Sequence, residues 1–248
     1  ALIGRSNTIA TKLSAVAVAV HKEESTYIQR WLRQLEKYMV VSVGRSRVCI
    51  VHGDMHSLSG WDLSAEAMPQ SKRLRDLMGV NEGENIEITT EEKISSWIAE
   101  SNADIIACTH TCLPFALDVS RSKSNSKIVS IDSDSVRNEG CRGIVINNGS
   151  AGMANFRGST HGVITRISTT EAAELPPGLR SLYCLSGDHH EDMGVSVDAL
   201  AVDFDYKRWE ERFLEHWPPG SAAHTSYIDR IKYGPDWGLD EATMGNFH

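Results

Sequence analysis

Apolar residues recur at Ile28, Trp31, Leu32, Leu35 and Tyr38, the spacing of a helix with one buried face, and predict a helix over 26–38. The period then changes. Met39 to Val43 and Arg47 to Val51 are two β-rich runs around Gly44-Arg45-Ser46, which predicts a hairpin. Thr89 followed by Glu92 has the form of a capping box, and Ile94, Trp97 and Ile98 give the helix after it a buried face up to Ser101.

Three short runs, Asp104 to Cys108, Gly143 to Ile146 and Gly162 to Ile167, read as buried strands. Leu182 to Leu185 and Val195 to Phe204 flank the polar stretch 187–192 and predict a second hairpin. Its tip, Gly-Asp-His-His-Glu-Asp, has two readings, a solvated turn and a metal-binding cluster. Trp209, Phe213 and Trp217 read as core anchors on a terminal helix stopped by Pro218-Pro219-Gly220. Between these elements, 120–139 is rich in Ser, Asp, Lys and Arg and reads as a solvated loop. No repeat or linker divides the chain, so 1–248 is expected to form one α/β domain. Its core spans about 26–168, and a hairpin and helix extension runs from about 181.

Composition removes several function classes. The formal charge is −8 and no cluster of Lys and Arg appears, which argues against a nucleic-acid binder. The longest apolar run, Ala15 to Val20, falls well short of a membrane span. Five cysteines, odd in number and without a C-x-x-C pair, indicate neither a disulfide framework nor a zinc knuckle and fit a reducing, intracellular compartment.

The chemistry gathers at strand ends. Val48 to Val51 runs into His52-Gly53-Asp54-Met55-His56, Asp104 to Cys108 into Thr109-His110-Thr111-Cys112, and Gly143 to Ile146 into Asn147-Asn148-Gly149-Ser150. Ligands at the carboxyl ends of strands are a common way to build a site on a sheet edge. On the residues alone, His52 and His110 read either as metal ligands or as strand-end histidines bonded to backbone carbonyls. Cys112 reads as an inert thiol, and Asn147 and Asn148 as turn residues that can also support a ligand.

In their order, these three turns resemble the closing motifs of the calcineurin-like metallophosphoesterases, in which a strand-end histidine precedes a G-H-x-H element and an N-x-G-S-type turn. The resemblance covers roughly Thr26 to Ile167, and the tail around Trp217-Pro218-Pro219-Gly220-Ser221 is similar as well. It implies two packed mixed sheets flanked by helices and a dinuclear site for Mn, Fe or Zn. Such a site polarises a phosphoryl group and lowers the pKa of the attacking water. His52 and His110 match two imidazole ligands of one metal, and Asn147 and Asn148 are their expected supports.

The chain also departs from the pattern. Cys112 stands where G-H-x-H has its second histidine, a ligand of the other metal, and Cys108 replaces the glycine. The 51 residues before His52 contain no aspartate, although the family's D-x-H, G-D-x-x-D and G-N-H-D/E motifs precede that position. Asp54-Met55-His56 has the D-x-H form, but the two following motifs are missing between His56 and His110. Two expectations follow. One is a metal-dependent phosphoesterase acting on a phosphoester, or the C-terminal portion of one with an incomplete N-terminal half. The other is a degenerate, non-catalytic member kept as a scaffold among protein assembly partners.

Overall fold

The computed structural model describes residues 30–31, 33–68, 87–119, 143–170, 175–185 and 193–244. The solvated loop 120–139 and the hairpin tip 187–192 lie outside them, as do residues 26–29 and 32 of the helix expected over 26–38. At the described end of that helix the expectation fails. Arg30 and Trp31 are helical, but 33–35 form a turn and bend, and Tyr38 already opens a strand. Trp31 and Leu35, expected on a buried face, are exposed.

The chain makes nine strands, four α-helices and one 3-10 helix (Ala65–Ala67) among the described residues. The strands are β1 (Tyr38–Val43), β2 (Ser46–Val51), β3 (Ile105–Cys108), β4 (Phe115–Val119), β5 (Gly143–Asn147), β6 (Gly162–Ser168), β7 (Leu179–Leu185), β8 (Ser196–Val202) and β9 (Thr243–Met244). The helices are α1 (Glu91–Ser101), α2 (Tyr206–His216), α3 (Ala222–Tyr233) and α4 (Leu239–Ala242). Two mixed or antiparallel sheets result. The larger has the order β1-β2-β3-β5-β4-β9 and the smaller β6-β8-β7.

Each expected hairpin is present: β1 pairs antiparallel with β2 around Gly44, whose φ of +57° suits glycine, and β7 pairs antiparallel with β8. In contrast, β2, β3 and β5 run parallel to one another. Parallel strands end on the same edge, so the three polar turns read from the sequence emerge side by side.

The period of two sorts the large sheet's residues between two cores. Cys49, Val51, Ile106, Cys108 and Val145 face a cluster with Met55, Leu63, Met68 and the buried face of α1, Ile94, Trp97 and Ile98. On the opposite face, Val48, Ile105, Ile144 and Ile146 pack with Met193 and Val195 from the turn leading into β8 and with Val197 of β8. That second face is only partly covered. Met39 and Ile50, paired across β1 and β2, are 59% and 42% exposed.

The helix N-cap is Thr90 rather than Thr89: its hydroxyl accepts the Lys93 N–H, while the buried Thr89 hydroxyl donates to the Asp62 carbonyl at 2.7 Å. Thr90→Ala is therefore expected to cost about 1 kcal/mol in urea denaturation, the usual worth of such a cap. An unchanged midpoint would contradict this. At the C-terminus the three expected anchors divide: Phe213 is buried, whereas Trp209 and Trp217 are half-buried. Trp237 instead closes the core there, donating from Nε1 to the Pro114 carbonyl at 2.8 Å. No helix among the described residues is long and apolar enough to cross a membrane.

Candidate metal centre

The three turns at the ends of β2, β3 and β5 are stitched together by their own backbones. The N–H groups of Thr109 and His110 both donate to the His52 carbonyl, at 3.3 and 2.9 Å, which lays the second turn over the first. The Asn148 N–H donates to the Cys108 carbonyl at 3.1 Å, and the Thr109 hydroxyl to the Gly149 carbonyl at 3.0 Å, joining the third turn to the second. Satisfying these backbone groups internally fixes the register of the turns.

This arrangement brings His52 and His110 together. His52 Nε2 lies 3.2 Å from His110 Nδ1, with the rings edge to face and their centroids 5.0 Å apart. Two nitrogens that each bind one tetrahedral ion at the usual metal–nitrogen length stand roughly 3.3 Å apart. The pair is therefore spaced either for an N–H···N hydrogen bond or for sharing an ion. Trp61, which sequence reasoning did not single out, packs edge-on to His110 with centroids 5.7 Å apart.

Burial, and then the neighbouring His52 ring, hold the His110 imidazole below its ordinary value, with Asp54 pulling the other way. A depressed value favours the neutral ring, the form that a metal requires. In the absence of metal, an NMR titration is expected to place the His110 midpoint below about 6.5. The unfolded chain then binds this proton more readily. The associated stability is complete above about 6.5 and lost as pH falls through the lowered value. A His110 midpoint above the ordinary value would show that the ring is not held as described.

The neighbouring candidates are engaged differently. Asp54 is buried, and its Oδ1 accepts from the N–H groups of His56 and Ser57 at 2.9 and 2.8 Å, closing a tight Asx-type turn. Gly60 seals this turn, because a Cβ there would fall 1.5 Å from Asp54 Oδ2. His56 points toward α1, its Nε2 accepting from Trp97 Nε1 at 3.2 Å. Asp54 and His56 thus hold the loop in the structure, and Asp54 also acts on His110 through its charge.

Cys112 sits at φ +61°, a backbone conformation uncommon for residues other than glycine, and its Sγ lies 3.4 Å from the His110 carbonyl as donor. Burial pushes its thiol up, opposed by Arg230. It is held as a protonated thiol, and among the described residues no group of three or more His, Cys, Asp or Glu gathers around a common point.

Asn147 is fully buried and ties the site to the interior. Its Nδ2 donates to Thr111 Oγ1 at 2.8 Å and to the Leu63 carbonyl at 3.3 Å, and its Oδ1 accepts the Gly149 N–H at 2.9 Å. It braces the loop that carries His110. Asn148 lies at the end of the partly covered sheet face.

Two further residues complete the frame. Asn155, also fully buried, accepts the Ser150 N–H at 2.7 Å and donates to the carbonyls of Ser150 and Met153. Arg230 of α3 reaches back to donate to the carbonyls of Cys112 and Ala154. Asn155 follows the Asn147-to-Ser150 turn by five residues, a local signal for the first. Nothing local marks Arg230, which lies 118 residues from Cys112.

No family model and no curated protein matches this chain. Among solved structures it is similar to hypothetical protein PH1004 from Pyrococcus horikoshii OT3, at 14% identity and a TM-score of 0.38, with 84% of this chain and 54% of that chain covered. The chain thus spans about half the length of that neighbour.

Proposed function

We propose that this chain is a metal-dependent phosphoesterase, or the C-terminal portion of one, with the two-sheet architecture of the calcineurin-like metallophosphoesterases. The observation that carries this reading is the meeting of His52 and His110. They come from different parallel strands, and their ring nitrogens lie at the spacing expected of two ligands of one ion. When bound, a divalent Mn, Fe or Zn ion supplies the polarisation of the phosphoryl oxygen and the activation of water. The chain's own contribution is to hold the two imidazoles in place. The backbone bonds to the His52 carbonyl do so directly, and Asn147 does so through Thr111.

The test is metal analysis together with hydrolysis of nitrophenyl phosphate, using the longest natural form of the protein. Bound divalent metal and metal-dependent hydrolysis are the expected results. Absence of both would overturn the proposal.

One observation favours the second reading, a non-catalytic scaffold. Cys112 occupies the place of a ligand histidine, yet it is a protonated thiol engaged with a backbone carbonyl. On that reading the protein binds no metal and is recovered from cell extract in a larger assembly.

A further inference from the structure

The partly covered face of the large sheet forms a cavity of about 460 Å³ against β6. Its walls are Val41 and Val43 of β1, Val48 and Ile50 of β2, and Ile164 and Ile167 of β6. Thr165 of β6 joins them, and among the described residues no charged or aromatic side chain lines the cavity. Such a volume lies within the usual range of small-molecule sites. Its polar end is formed by Thr109 and Asn148, in the turns that carry and brace His110.

The pleat explains this placement. Val48 and Ile50 share a face of β2, and the chain reaches His52 immediately after that strand's last residue, Val51. Ala107 likewise leads to Thr109, and Ile146 to Asn148. The apolar floor therefore leads along three parallel strands to the edge where the two imidazoles meet.

We propose that this groove receives the alcohol portion of the substrate, so that the substrate class is the phosphoester of an apolar, chain-like alcohol. The proposal rests on the phosphoesterase reading for the position of the phosphoryl group. A sugar or nucleotide leaving group would have to strip water from many hydroxyl and amide groups against valine and isoleucine walls, where among the described residues only Thr109, Asn148 and Thr165 offer polar partners. An alkyl chain meets no such penalty, and each methylene buried strengthens binding about fourfold.

The test measures binding of ethyl-, butyl-, hexyl- and octylphosphonate by calorimetry, with nitrophenyl phosphate hydrolysis assayed separately. Affinity is expected to rise about fourfold per added methylene until the groove is filled. Ile50→Asp is expected to flatten that rise and Ile50→Val to preserve it. Ile50 is already 42% exposed, which allows the fold to tolerate both, and circular dichroism verifies it. Affinity independent of chain length, or no phosphonate binding at all, overturns the groove assignment even if nitrophenyl phosphate is hydrolysed. A steep chain-length dependence without hydrolysis supports the groove while removing the catalytic reading.

Discussion

His52→Ala and His110→Ala are each expected to lower the affinity for Mn²⁺ or Zn²⁺ by more than about a hundredfold, since even groups that only support a metal ligand cost ten- to a hundredfold when removed. Phosphoester hydrolysis should fall with metal content. The fold should survive, particularly for His52→Ala, because the His52 side chain is exposed and its structural contribution is the backbone carbonyl, which alanine retains. Metal content after dialysis, alongside the denaturation midpoint, separates these effects. If both variants retain metal at the wild-type level, the pair is two hydrogen-bonded histidines and the metal centre lies elsewhere.

Asn147→Ala is expected to act in the opposite sense, through stability first. The side chain is fully buried and links the Thr111 hydroxyl, the Leu63 carbonyl and the Gly149 N–H. Alanine leaves these partners without it in a site closed to water, and each buried group so abandoned costs about 1–3 kcal/mol. Partial relaxation makes a total loss of about 3 kcal/mol a reasonable expectation. Asn147→Asp should also destabilise, because a carboxylate cannot donate to Thr111 or Leu63. Urea denaturation of both variants checks this. A loss below about 1 kcal/mol would mean that the loop carrying His110 is braced by other contacts.

The sequence was most legible where its signals were local. The β1–β2 hairpin, the buried face of α1 and the strand-end turns follow from residues close together in the chain. The placement of His52 beside His110 needed one further element, the parallel alignment of β2, β3 and β5 that puts their ends on one edge.

What escaped was set by distant partners. β4, Phe-Ala-Leu-Asp-Val, carries little alternation because it is buried between β5 and β9, so its pattern does not mark it as a strand. α3 buries only Ala223 and Ile231, so it lacks the broad apolar stripe that reveals α1. The first helix was extended too far because Tyr38 satisfies its period, although Tyr38 pairs with Val51 as the first residue of β1. Within the site, the aspartate and second histidine of the opening motif have the right spacing for ligands. Their partners, two backbone N–H groups and the Trp97 ring, cannot be inferred from spacing.

The guanidinium of Arg230 bonds to carbonyls on either side of the site, at Cys112 and at Ala154. Separating either turn from α3 therefore breaks a charge-assisted hydrogen bond, which couples their opening. In hydrogen–deuterium exchange, the amides of His110 and Asn148 should share a single protection free energy with the centre of α3. A ligand that slows exchange at the strand ends should then slow it equally in a helix that does not touch the ligand.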